Sequence, residues 1–214
     1  MSEDASGRKQ VPTPSQLPLA FGHDPAISRD DLLVSDPLSA AVSIVDHWPQ
    51  WPSPVVILMG PVGSGKSHLA SIWQQKSEAV SIHPVAGSDS AETASRSPVL
   101  FEDADRCNFD ETELFHVINS VREHGQFLLM TTRLWPMSWP VTLPDLRSRL
   151  KAATLVEIGE PDDALLAQVL VKLFADRQLT IDDKLVAYIV ARMERSLDAA
   201  QSIVEAMDHL GLAR

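Results

Sequence analysis

The chain has 214 residues, 44% of them hydrophobic, enough for one sizeable core or for a larger and a smaller unit. Asp and Glu number 29 against 18 Lys and Arg, a net charge of -11, and no basic cluster of the kind that displaces counterions from a nucleic-acid backbone is visible, so direct DNA gripping is not expected. The sequence has neither a run of roughly eighteen apolar residues nor a signal-peptide pattern. With neither, the chain is read as cytoplasmic and not membrane-bound, and its single Cys107, which cannot close an internal disulfide, fits a reducing compartment.

In chain order, residues 1–26 read as a flexible, polar, proline-broken leader, interrupted by the apolar stretch QLPLAF, Gln16 to Phe21. Apolar residues in a segment that cannot bury them against itself pack on something else, either the domain behind or another protein. From 27 to 159 short apolar runs alternate with helical periodicity, the signature of a parallel sheet covered by helices. Pro37 to His47 repeats Leu38, Ala41, Val42 and Val45 at helical spacing. PVVILMG (Pro54 to Gly60) reads as a buried strand entering a glycine loop, and SHLASIWQQ as the helix after it. Ala79 to Val85 is a second expected strand, followed by the small-polar loop AGSDSAETASRS. Pro98 to Ala104 is a third, ETELFHVINSVREHG a helix, Gln126 to Thr132 a fourth strand and Thr154 to Ile158 a fifth. Beyond Gly159 only helical patterns follow, around Leu165 to Phe174, Leu185 to Met193 and Leu197 to Leu210, so residues 160–214 are expected to form a small helical lid.

The strongest chemical signal is GPVGSGKS: Gly60, Pro61, Val62, Gly63, Ser64, Gly65, Lys66 and Ser67 fit G-x-x-x-x-G-K-[ST] between a strand and a helix. The glycines let backbone N–H groups turn inward around phosphates, and the helix N-terminus adds positive dipole. Lys66 is expected to reach the β and γ phosphates of ATP or ADP, Ser67 to ligate Mg²⁺, and His68 to lie beside the phosphates in the first helical turn. A metal-side acid then belongs one strand later, where VLFED supplies Glu102 and Asp103. Glu102 takes the metal-side position and Asp103 the water-orienting one, an order exchanged from the more common one that predicts slow hydrolysis at most.

These motifs, with LLMTTRLWP after the fourth strand, LPDLRSRL before the fifth and MERSLDAAQSIVEAMD in the lid, resemble the AAA+ domain of DnaA-type replication initiators. The resemblance covers about residues 15 to 210 and is nearest to the Hda-type regulatory inactivators of DnaA, which lack the initiator's DNA-binding domain. It implies an AAA+ P-loop fold, an α/β domain with a parallel five-stranded sheet plus a helical lid. It implies that Thr132, or its neighbour Thr131, senses the γ-phosphate, and that Arg195 touches phosphates from the lid. Arg149 in SRL is implied to be a finger reaching into the nucleotide site of an adjacent protein. Without the resemblance, the threonines read as a strand end and Arg147, Arg149 and Arg195 as solvated charges.

The resemblance also gives the leader a role. Gln16, Leu17, Leu19 and Phe21 fit the hexapeptide by which such proteins are held on the polymerase sliding clamp, with Pro18 limiting the entropy lost on docking. The implied function is a nucleotide-binding regulator that stimulates hydrolysis of initiator-bound ATP and so prevents re-initiation. Another AAA+ replication adaptor or helicase loader, and a small-molecule P-loop kinase, are the competing readings. The implied partners are a DnaA-type initiator and the clamp, without sequence-specific DNA contact, since no room for a helix-turn-helix follows Arg214. A finger-into-site contact also permits homo-oligomers. Trp48 and Trp51 read either as a wall of the adenine pocket or as core; Trp135 and Trp139 face a partner or fold inward.

Overall fold

The computed structural model describes residue 33 and residues 36–212, so the QLPLAF stretch lies outside the described residues. Among the described residues eight helices and five strands follow one another as α1 (Asp36–Asp46), β1 (Val55–Met59), α2 (Lys66–Ser77), β2 (Val80–Ser81), α3 (Ser90–Arg96), β3 (Val99–Phe101), α4 (Glu111–Glu123), β4 (Leu128–Thr132), α5 (Pro144–Lys151), β5 (Thr154–Glu157), α6 (Asp163–Asp176), α7 (Asp183–Val190) and α8 (Leu197–Leu212), with a 3-10 turn at Pro136–Ser138. The strands form one sheet in the order β2-β3-β4-β1-β5, and every pairing is parallel.

β1 and β4 are buried along their whole length, as continuous apolar runs in a parallel sheet covered on both faces require. Alternate side chains separate the two faces. Val55, Ile57, Phe101, Leu128 and Met130 pack under α3, α4 and α5, whereas Val56, Leu58, Leu100 and Leu129 pack under α1 and α2. A third cluster, with Leu170, Phe174, Val186, Ala200 and Val204, joins α6, α7 and α8. Leu165 at the start of α6 packs with the α1 and α2 face, so the helical part is rooted in the core of the sheet.

Two sequence expectations need correction. The expected loop after the second strand contains α3, whose composition offers little apolar periodicity and buries only Ser90 and Ala94. Tertiary bonds make the helix: the Ala91 N–H donates to Glu113 Oε1 at 3.1 Å and Ser120 Oγ donates to the Ala91 carbonyl at 2.8 Å. The second strand shrinks to Val80–Ser81, an exposed edge bonded only to β3. No helix among the described residues is long and apolar enough to cross a membrane.

Candidate functional site

The loop Gly60–Ser67 joins the end of β1 to the start of α2 and is tied down from several sides. The Gly60 N–H donates to the Thr132 carbonyl at 3.1 Å, fixing the loop's entry to the end of β4. Gly63 and Gly65 have φ of +66° and +94°, backbone that favours glycine, and a Cβ on Gly63 would lie 2.4 Å from Ser196 Cβ. That contact places the start of α8 directly on the loop, and the Leu197 N–H donates to the Gly63 carbonyl at 2.8 Å.

Lys66 opens α2 and is only 6% exposed. Its Nζ donates to the carbonyls of Gly60 at 2.8 Å and Pro61 at 2.6 Å, with Ser64 Oγ at 3.5 Å. Burial, and after it the Arg133 guanidinium, hold this ammonium below its ordinary value, while Asp103, Asp105 and Asp198 pull it up. The loop already folds around a cation whose bonds to carbonyls are exchangeable for bonds to phosphate oxygens.

A cavity of about 290 Å³ opens above the loop, near the lower end of the roughly 300–1,000 Å³ range of small-ligand sites. Gly63, Gly65, Lys66, Ser67, His68, Asp103 and Arg133 line it from the loop, the start of α2 and the strand ends. Leu33, Leu38, Val62, Leu165, Val169, Leu173 and Leu197 supply apolar lining, and Lys172, Asp176, Asp198 and Gln201 line it from the helical part. The site therefore lies between the sheet and the helices that follow it.

Of the two acids after β3, Asp103 lines this cavity and Glu102 does not. Asp103 sits at φ 48°, a conformation an Asp adopts at modest cost, and its N–H donates to the Thr131 hydroxyl at 2.9 Å. Thr131 thus holds the acid's backbone. Thr132, fully buried, donates from its hydroxyl to the Leu134 carbonyl at 2.9 Å and accepts from the Leu134 N–H at 3.1 Å. Among the described residues no group of three or more His, Cys, Asp or Glu is arranged to hold a metal. Ser67 and Asp103 share one cavity, a donor set that suits Mg²⁺, which keeps waters and substrate oxygens among its ligands.

Arg195 and Arg149 both lie outside the cavity lining. Arg195 pairs with Asp163 at 2.9 Å, an exposed bridge at the start of α6, although Ser196 and Leu197 next to it touch the loop. Arg149 lies near the end of α5, which buries Leu146 and Leu150 and runs into the N-terminal end of β5. The phosphate loop leaves the C-terminal end of β1, parallel to β5, so the loop and the end of α5 lie at opposite ends of neighbouring strands. The Arg149 guanidinium has no hydrogen-bond or ion-pair partner among the described residues. Arg147 reaches the Met137 carbonyl at 3.4 Å.

α5 itself is anchored at its start: the Glu111 carboxylate accepts the Thr142 N–H at 2.9 Å and the Leu143 N–H at 2.6 Å. Those bonds lower the Glu111 pKa from its ordinary 4.5. Trp48 and Trp51 resolve as core: Trp51 stacks on Trp73 with centroids 5.2 Å apart and both meet Phe127. Trp139 is buried and Trp135 is 52% exposed. Sequence reasoning missed Arg133, whose signal was a lone cation directly after the fourth strand in TTRLW.

The fold is that of the AAA+ class. No family model and no curated protein matches the chain. Among solved structures, AMPPCP-bound DnaA from Aquifex aeolicus is similar with a TM-score of 0.71 at 16% identity, over 86% of this chain and 65% of that one. Domain III of the Thermotoga maritima replication initiation protein DnaA gives 0.67 at 15% identity, over 84% and 86%. The Thermotoga maritima RuvB Holliday junction branch migration motor gives 0.56 at 19% identity, over 70% and 52%. At these identities the likeness is one of fold, and the chain spans 65% of the length of the Aquifex DnaA chain.

Proposed function

We propose that this chain is a nucleotide-binding regulator of replication initiation of the Hda type, which binds the sliding clamp and stimulates hydrolysis of ATP held by a DnaA-type initiator. Its own ATP or ADP sits in the cavity above Gly60–Ser67, under a lid formed by residues 160–214. Backbone N–H groups of Pro61 to Ser67 other than proline's, and the Lys66 ammonium, hold the phosphates. Ser67 and Asp103 hold Mg²⁺, with Glu102 as an outer acid, and the ion neutralises phosphate charge when bound. Arg195 leaves Asp163 to approach the phosphates when the lid settles, and its exposed bridge costs little to break.

The observation that carries the reading is the placement of Arg149. A guanidinium left without a partner among the described residues, on a helix fixed by Glu111 and by two buried leucines, and off the lining of the chain's own cavity, suits action on a nucleotide held elsewhere. A guanidinium delivered in trans stabilises charge developing on the transferred phosphoryl group, worth roughly 10³ to 10⁵ in rate in well-studied cases. The DnaA fold, one example of it AMPPCP-bound, supports nucleotide binding here. Gln16, Leu17, Leu19 and Phe21 are the proposed clamp tether, and the cytoplasm the compartment; homo-oligomers through the same contact remain open to test.

The test measures ATP hydrolysis by the purified initiator with DNA-loaded clamp, with and without this chain, and with Gln16 and Leu19 changed to Ala. A rise in hydrolysis that the tether variant abolishes supports the reading. No rise with wild type, in a sample that binds nucleotide, overturns it.

A further inference from the structure

We propose that a groove between α6 and α7 is the seat of the chain's own stretch QLPLAF, so that the same residues either lie against these helices or engage a partner. Competition with the sliding clamp rests on the clamp-tether reading; occupation of the groove does not.

α6 and α7 turn Leu170, Phe174 and Ile189 inward toward α8. Between their other sides lies a trough of about 880 Å³, in the upper part of the roughly 300–1,000 Å³ range of ligand sites. Ala164, Ala167 and Val171 from α6 and Val186, Ala187 and Val190 from α7 form its apolar walls. Val171 is 46% exposed, and Ala164 and Ala187 are exposed as well, so a segment laid over them removes apolar surface from water. Asp163 and Asp183, at the starts of the two helices, and Lys172 also line the trough. An uncharged occupant brings no further charge to be desolvated among them.

The chain arrives at this place. Leu33, the first described residue, is half-buried and on the groove's lining, so the 32 residues before it start from the groove itself. Eleven residues, 22–32, separate Phe21 from Leu33, a tether that spans at most roughly 40 Å. α6 has 14 residues and is only about 21 Å long, so every point of the groove is within reach. The tether GHDPAISRDDL carries Asp24, Arg29, Asp30 and Asp31, whereas QLPLAF has no charge and concentrates Leu17, Leu19 and Phe21. In an extended chain those three share one side, which suits a narrow apolar trough. A segment held through a linker of this length meets its groove at an effective concentration on the order of 1 mM. Even an intrinsic Kd of about 0.1 mM then keeps it seated roughly ten times as often as free, and clamp binding by the full chain is weaker than by the free peptide in the same proportion.

Methyl NMR of the full chain, with alanine and valine labelled, tests the seat directly. Replacing Leu17, Leu19 and Phe21 together by Ser is expected to shift the Ala164, Val171 and Ala187 methyls, and millimolar peptide of residues 15–22 to return them toward wild type. Ile27→Ser leaves them in place. Val171→Asp, at an exposed position, is expected to raise the affinity of the full chain for the purified clamp about tenfold, to that of the free peptide. Groove methyls that ignore the triple substitution, or that answer equally to Ile27→Ser, overturn the proposal, as does clamp affinity unchanged by Val171→Asp in a chain that binds the clamp. Groove methyls that respond as expected, with neither chain nor peptide binding the clamp, leave the seat standing and overturn the clamp-tether reading.

Discussion

The phosphate loop is tied down by several bonds: Gly60 with β4, Gly63 with α8, and Lys66 with two carbonyls. At α5 the helix is held just as firmly, by Glu111 and by Leu146 and Leu150, yet the guanidinium of the half-buried Arg149 near its far end has no hydrogen-bond or ion-pair partner among the described residues. A site that receives its own ligand is stabilised in waiting by exchangeable bonds. A group meant for another protein's ligand needs a rigid base and a free tip. The two regions lie at opposite ends of neighbouring strands, the loop after the C-terminal end of β1 and α5 before the N-terminal end of β5.

Five substitutions break or sharpen that contrast. Lys66→Ala removes the cation that the loop is folded around and is expected to weaken binding of a fluorescent adenine nucleotide by about a hundredfold or more. Gly63→Ala puts a Cβ at positive φ against Ser196, and thermal denaturation should show a loss of about 2–3 kcal/mol, a fall in Tm of roughly 5 °C or more. Asp103→Asn is expected to cut the Mg²⁺ enhancement of AMPPCP binding by about tenfold, with Glu102→Gln changing it far less, because Asp103 alone of the pair lines the cavity.

The smallest effect concerns the base of α5. Glu111 has its pKa lowered by the N–H groups it accepts, so its contribution is present above the ordinary value of 4.5 and is lost as pH falls through the lowered value. Glu111→Gln should therefore melt below wild type near neutral pH and converge with it in acid. A gap that persists or widens in acid contradicts this account of the helix start.

The phosphate loop was legible because its requirement is backbone geometry, and glycine spacing with a terminal Lys-Ser writes that geometry into the chain. The buried strands were legible for the same kind of reason, as continuous apolar runs such as VVILM. α3 was not, because SAETASR becomes helical through bonds to Glu113 and Ser120 far along the chain. Nor could the sequence say how the hydroxyls at the end of β4 are used: Thr132 donates to the Leu134 carbonyl, while Thr131 accepts the Asp103 N–H. The pairing of Arg195 with Asp163 joins the starts of two lid helices, a contact that no local pattern encodes.

The most direct test is single-turnover hydrolysis of initiator-bound ATP on DNA-loaded clamp, comparing wild type with Arg149→Ala while the chain's own nucleotide affinity is measured on the same samples. The account predicts that Arg149→Ala loses the stimulation, by about a thousandfold if the finger supplies its usual share, with its own affinity kept within about twofold. Stimulation that survives Arg149→Ala would contradict it, as would a matching loss of the chain's own nucleotide binding.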